Sequence, residues 1–279
     1  MVQDIFPRVF HNEFCKIPPE DDDYVFSFGP DGLLMDPAEG IGLPTAVQAR
    51  ERGAGELVFL FAEDQRRFYL ADRVLPEGDG FVYVDSRRFR GMGPQDMLFA
   101  CGVGESLFRW YRDNRFCGSC GGMMARSGSE RAMVCSGCGH TVYPKICPAV
   151  IAAVCDGDRL LLTKYAGRGF SRYALVAGFA EIGETIEDTV RREVMEEVGL
   201  RLGEMRFYKS QPWVFTDTLL MGFFARLDGP GTVRLQEDEL ALAEWFEREK
   251  LPENHSEISL TGEMIEIFRV GQDPFSLGK

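Results

Sequence analysis

The chain has 279 residues, of which 45% are apolar and 27% charged, and 44 Asp and Glu outweigh 31 Lys and Arg to give a formal net charge of −13. This is the composition of a globular protein with one large domain or two to three smaller ones. The acidic excess excludes a broad basic surface that wraps nucleic acid, but it permits a phosphate substrate whose charge is offset by a bound cation.

No stretch approaches 18 consecutive apolar residues, and the N-terminal MVQDIFPRVFHNEF lacks a signal-like apolar run. A cytoplasmic protein without membrane contact is therefore expected. ELVFLFA (56–62), RRFYLA (66–71) and FVYVD (81–85) predict strands, being short β-branched and aromatic runs between turn formers. Residues 94–114 predict a helix with Leu98, Cys101, Leu107, Phe108 and Tyr111 turned inward, interrupted by Gly102 and Gly104. Residues 1–112 thus read as an α+β domain.

Two Cys-x-x-Cys pairs follow, Cys117/Cys120 and Cys135/Cys138, with fourteen residues between them. That spacing predicts one structural zinc ion per chain in a ribbon spanning 113–145, because four thiolates close the coordination sphere and leave no position for water. A nucleic-acid-reading ribbon is the alternative. Cys15, Cys101, Cys147 and Cys155 read as buried thiols, Trp110 and Trp245 as core, and His11, His140 and His255 as non-catalytic.

Residues 146–279 form the third predicted domain. AVIAAVC and RLLLTKY flank Asp156-Gly157-Asp158, a hairpin signal. EMRFYKS, LLMGFFARL and AEWFE predict further strands, and SLTGEMIEIFRV a closing helix, so the fold class is α/β in layers. Between these strands lies the acidic run GFAEIGETIEDTVRREVMEEVGL (178–200). On a helix, Glu193, Glu196 and Glu197 fall at i, i+3 and i+4, within one arc of about 100°. Like charges so placed repel on an ordinary surface, so the stripe points to a divalent-cation site, with Val190, Val194 and Val198 packing the flank.

The pattern from Gly178 through Glu184 and Arg192-Glu193 to Glu196-Glu197 and Gly199-Leu200 resembles the Nudix box, G-x5-E-x7-R-E-U-x-E-E-x-G-U with U aliphatic, at every defined position. The resemblance implies a C-terminal Nudix α/β/α sandwich that hydrolyses a nucleoside diphosphate linked to another group. It also implies Mg²⁺ or Mn²⁺ on Glu193, Glu196 and Glu197, water activated by one of them or by Glu184, and Arg192 orienting the carboxylates.

Further on, Ser210-Gln211-Pro212-Trp213-Val214-Phe215-Thr216-Asp217-Thr218 resembles the SQPWPFPxS element of the NADH pyrophosphatase (NAD diphosphatase) subfamily. That subfamily also carries a zinc ribbon, removes NAD caps from RNA and is dimeric. The resemblance implies NAD(H) as substrate, cleaved to nicotinamide mononucleotide and AMP, with NAD-capped RNA as a further substrate and a homodimer as the assembly. Gln211 to Thr218 would recognise substrate as a loop, together with Phe179, Tyr143, Glu130 and Arg88; the Ala177 backbone and Glu239 would add metal contacts. Val214 and Thr216 replace two prolines, Asp217 a neutral polar residue and Thr218 a serine, which puts fine substrate preference in doubt. The rivals are another dinucleotide or nucleotide-sugar as substrate, and a non-hydrolytic nucleotide- or RNA-binding module.

Overall fold

The computed structural model describes residues 1–89, 92–167, 172–236, 238–253, 258–272 and 274–276; His255 lies outside them. The chain gathers into two compact units, 2–145 with 214–216, and Met1 with 146–213 and 217–279.

The first unit contains β1 (Phe10–His11), β2 (Tyr24–Phe26), β3 (Phe28–Gly29), β4 (Gly32–Met35), α1 (Ala46–Glu51), β5 (Leu57–Glu63), β6 (Arg66–Ala71), β7 (Val82–Val84) and α2 (Gln95–Asp113). One sheet runs β1-β5-β6-β2 and another β3-β4-β7. The three predicted strands and the helix are present. The shorter β1 to β4 and α1 are additions, each too brief for a hydrophobic period to show. α1 nevertheless has a legible start, a capping box in which Thr45 and Gln48 satisfy each other's backbone N–H.

Along α2, Leu98, Cys101 and Leu107 are buried, whereas Phe108 and Tyr111 are half-buried. The two glycines cost about 1 kcal/mol each relative to alanine in an ordinary helix. Packing explains them: a Cβ at Gly102 would lie 2.3 Å from Val214 Cγ2, and one at Gly104 2.7 Å from Phe26 Cε2.

One ionic cluster in this unit surrounds a buried carboxylate, Glu63, with half-buried partners. Arg66 Nη2 donates to Asp96 Oδ2 at 2.6 Å and also to Glu63, while Arg8 Nε donates to Asp96 at 2.8 Å. Among the described residues, Glu63 Oε1 and Arg66 Nε have no hydrogen-bond partner. Burial outweighs the neighbouring Arg66 and pushes the Glu63 carboxyl up from 4.5 to about 7. The destabilisation is absent below pH 4.5, grows as the pH rises and is complete above about 7. Stability is therefore expected to fall across that window, by on the order of 3 kcal/mol, and Glu63→Gln to flatten the fall. Urea midpoints of both proteins at pH 5 and pH 8 measure it; equal pH slopes would refute the assignment.

The ribbon strands β8 (Met124–Arg126), β9 (Met133–Cys135) and β10 (Thr141–Val142) follow in antiparallel order β10-β9-β8. They pack through Met124, Met133 and Cys135 against Trp110 at the end of α2.

The second unit contains β11 (Cys147–Asp156), β12 (Arg159–Tyr165), β13 (Val176–Phe179), α3 (Ile186–Val198), β14 (Leu202–Trp213), β15 (Thr218–Leu227), β16 (Leu240–Glu247) and α4 (Leu260–Arg269). Its sheet runs β14-β15-β11-β12-β16, with β13 also paired to β11. The β11–β15 pair is parallel and the others are antiparallel. Because successive strand residues face opposite sides, β11 serves two cores. Val150, Ala152 and Val154 pack with Val190, Val194 and Val198 of α3. Ile151, Ala153 and Cys155 pack with Leu260, Met264, Ile265 and Phe268 of α4. Each fully buried valine contributes about 1.5 kcal/mol or more. This is the α/β/α sandwich anticipated for the C-terminal region, and its α3 core fixes which side of that helix carries the glutamates.

Three expectations need correction. Gln211, Pro212 and Trp213 are the last residues of β14 rather than part of a loop; Pro212 is tolerated because β14 is an edge strand. Cys15 and Cys147 are half-exposed rather than buried. Trp245 is half-buried, its indole N–H donating to the Gly231 carbonyl at 2.8 Å.

Candidate active site

α3 begins at Thr185, whose hydroxyl accepts the Asp188 N–H at 3.1 Å. With the valines turned to the sheet, the polar side of the helix carries a charge web centred on Arg192. Its Nε and Nη2 donate to the two oxygens of Glu184 at 2.6 and 3.0 Å. Its Nη1 donates to Glu193 at 2.8 Å and Glu196 at 2.9 Å, and Nη2 also reaches the Phe179 carbonyl at 2.9 Å. One guanidinium thus braces three carboxylates and the end of β13.

Glu184 also accepts from Thr189 Oγ1 at 3.0 Å and from the Glu181 N–H at 3.1 Å. These donors, Arg192 foremost, hold its carboxyl at about 2. So placed, Glu184 is tied to Arg192 through both of its oxygens. Thr189 was missed in the sequence reading. Its signal was its place four residues before Glu193 and eight before Glu197, on the same stripe.

Glu197 is different. It is 2% exposed, and among the described residues its Oε2 has no hydrogen-bond partner. Burial first, then the charges of Glu193, Glu239 and Glu196, push its carboxyl up to about 8. Burial likewise raises Glu193, opposed by Arg192. A carboxylate oxygen buried without a donor, beside further carboxylates, costs free energy until a cation approaches. The donor chemistry is of the kind a hard divalent cation takes. Among the described residues, however, the carboxylate oxygens are not gathered within 4.8 Å of one another as the four ribbon thiols are, Arg192 holding Glu193 and Glu196 to itself.

The negative charge of Glu239, from the turn before β16, adds to the rise of both the Glu193 and the Glu197 carboxyl. That turn is pinned where Gln236 N–H donates to the Glu197 carbonyl at 3.0 Å and Ala166 N–H to the Glu239 carbonyl at 2.9 Å. Gly178, in β13, faces Glu193 so closely that a Cβ there would lie 1.9 Å from the carboxyl carbon. Only glycine leaves that carboxylate its place. Ala177, also in β13, sits opposite Ile151 of β11, and Phe179 is exposed at the end of β13.

The four ribbon thiols converge. Cys117 and Cys138 Sγ lie 3.7 Å apart, Cys120 and Cys135 Sγ 3.5 Å, and all four fall within 4.8 Å of one another. A tetrahedral zinc site with Zn–S bonds of about 2.3 Å has S–S edges of about 3.8 Å, so the set fits zinc. Backbone N–H groups of Cys138 and Gly137 lower the Cys135 thiol to about 7, favouring the thiolate that binds metal.

A NUDIX domain matches residues 145–265, and an NADH pyrophosphatase zinc ribbon domain matches residues 112–143. An NAD-capped RNA hydrolase of Pectobacterium carotovorum subsp. carotovorum is 41% identical over 61% of this chain and 66% of its own, just under two thirds of that relative's length. One from Pseudomonas fluorescens is 33% identical over 86% of this chain and 87% of its own. The chain belongs to the Nudix hydrolases, in the branch with the NADH pyrophosphatase zinc ribbon. A crystal structure of a NUDIX hydrolase from Nitrosomonas europaea is similar at a TM-score of 0.48, with 22% identity over 55% of this chain and 90% of that one.

The other expected contacts of this Nudix hydrolase lie apart from the carboxylate stripe in sequence. Tyr143 and Glu130 meet on the ribbon, where the Tyr143 hydroxyl donates to Glu130 Oε1 at 3.2 Å. Arg88 is exposed on a 3-10 turn, Ser86–Arg88. Gln211 is fully buried: its Nε2 donates to the Ile258 carbonyl at 2.9 Å and its Oε1 accepts the Leu260 N–H at 2.7 Å, tying β14 to the start of α4. Pro212 and Thr216 are exposed, Trp213, Val214 and Phe215 half-buried and Thr218 buried. Asp217 adopts φ of 56° where the β14–β15 connection closes, and its carbonyl accepts the Cys147 N–H at 2.8 Å. An aspartate tolerates that left-handed conformation better than most residues, which gives it a backbone role that its charge did not suggest.

Proposed function

We propose that this Nudix hydrolase cleaves the pyrophosphate of NAD(H) to nicotinamide mononucleotide and AMP, and removes NAD caps from RNA 5′ ends. The observation that carries the reading is the buried, donor-free Glu197 oxygen amid Glu193, Glu196 and Glu239, with Arg192 bracing the stripe. The zinc ribbon, the Gln211–Thr218 segment and the names of the relatives support NAD over other pyrophosphates.

In the reaction, water bonds to one phosphorus as the bridging P–O bond breaks, so each half leaves as a monophosphate. Glu193, Glu196, Glu197, Glu239 and the Ala177 carbonyl would hold the Mg²⁺ or Mn²⁺, which would supply positive charge to offset the pyrophosphate's. Arg192 and Glu184 keep the stripe in place. Phe179 and Tyr143 offer faces on which a base can stack, Glu130 can accept from ribose hydroxyls, and Arg88 offers a phosphate contact. Family resemblance supports a homodimer, and the extents of the two domain matches support a division at residues 112/113 and 145/146. Among the described residues no helix is long and apolar enough to cross a membrane.

Chromatographic analysis of products from NADH, NAD⁺, ADP-ribose and a nucleotide-sugar, each with Mg²⁺ or Mn²⁺, tests the reading. Nicotinamide mononucleotide and AMP are expected to form fastest from NADH or NAD⁺. Cleavage of the other compounds alone would assign the Val214–Thr218 departures to a re-tuned pocket. No metal-dependent cleavage would favour the nucleotide-binding module.

A further inference from the structure

Two clefts in the first unit meet at one wall. One, of about 590 Å³, runs past Lys16, Glu56 and Glu130. The other, of about 600 Å³, runs past Phe108, Arg112 and Arg115 at the end of α2 and Arg126 of β8. They share Val58, Tyr111 and Arg126, so the surface continues from the Tyr143–Glu130 pair to the end of α2.

Cations alternate with aromatic rings along it. Arg112 lies over the Phe108 ring at 5.6 Å, and Phe108 stacks on Phe28 at 4.8 Å between centroids. Arg126 is held in place by Glu56 at 2.5 Å and Asp72 at 3.8 Å. Among the described residues, Lys16 and Arg115 form no ion pair although acids outnumber bases along the chain. Both are exposed. Glu56, Asp72 and Glu130 interrupt the positive charge, which suits a few phosphates rather than a long duplex.

We propose that this double cleft binds single-stranded RNA, namely the first nucleotides beyond the 5′ cap, with Lys16 and Arg115 on phosphates and with Tyr111 and the Arg112 guanidinium, backed by Phe108, under bases. Alternating cations and aromatic faces are what an unpaired strand requires, because phosphates need charge and every base has a face to stack. The proposal rests on the NAD-cap reading for its strand polarity, since Glu130 and Tyr143 are assigned there to the cap.

The test uses the full-length zinc-loaded protein, its Lys16→Ala and Arg115→Ala variants and the double variant. Anisotropy of a labelled NAD-capped decamer, followed across salt concentrations in Ca²⁺-containing buffer, reads RNA binding. Each lost contact is expected to flatten the log–log salt slope by about 0.7, and the double variant by about 1.4. Hydrolysis of free NADH is expected to be unchanged in all three, which also shows that they fold. Unchanged slopes, or a decamer that the wild type does not bind, would overturn the cleft. Failure of the wild type to hydrolyse NADH overturns the functional reading instead, and the salt slopes still decide whether the cleft binds RNA.

Discussion

Glu197→Gln is expected to lower kcat for metal-dependent pyrophosphate hydrolysis on the order of 10³-fold while raising the stability of the metal-free protein. Both effects come from one buried group. In the folded chain its carboxyl is pushed from 4.5 up to about 8, first by burial and then by Glu193, Glu239 and Glu196. The resulting destabilisation is negligible below pH 4.5 and complete above about 8. At pH 9 without divalent cation, glutamine removes that charge and the melting temperature rises. Saturating Mg²⁺ or Mn²⁺ reverses the order, because the wild type gains binding free energy that the amide cannot supply. Melting curves of both proteins at pH 9, with and without metal, together with NADH turnover, measure the crossover. A variant that keeps its turnover would remove Glu197 from the site. A variant no more stable than wild type in chelator would show that the buried charge is already satisfied.

The legible part of the site was the part that one helix carries. Glu193, Glu196 and Glu197 share a stripe because the helical period places them there, and the valines at 190, 194 and 198 say which side is buried. Glu239 reaches the stripe only because its loop is pinned to the Glu197 carbonyl and to Ala166, contacts that no local period encodes. The Gln211 segment shows the reverse difficulty. Its Pro and Trp read as loop chemistry, yet an edge strand accepts a proline, and the Gln211 amide is engaged by α4. In α2, Gly102 and Gly104 argued against a helix until the close approach of Val214 and Phe26 was visible. The same limit hid the Glu63–Arg66–Asp96 cluster, whose members lie on three separate elements.

Removing zinc, or replacing Cys135 by Ser, is expected to unfold the ribbon while the Nudix sheet stays folded. The ribbon has three strands of two or three residues each, too short to be stable alone. Its core consists of Trp110, Cys117, Met124, Met133 and Cys135, so two of the proposed zinc ligands are themselves core residues. Four thiols within 4.8 Å of one another also repel once ionised without a metal. In isolated zinc modules the ion contributes about 10–16 kcal/mol of apparent binding free energy, which is folding free energy. Hydrogen exchange under reducing conditions should therefore show residues 117–142 losing protection on chelation, with β11 and β15 unchanged. Reduction is essential because the 3.5 and 3.7 Å pairs are close enough to oxidise once the ion is gone. If Tyr143 and Glu130 contact substrate, KM for NADH rises in the zinc-free protein more than kcat falls. Protection retained without zinc would show that packing against Trp110 suffices. A fall in kcat at constant KM would place the ribbon outside substrate binding.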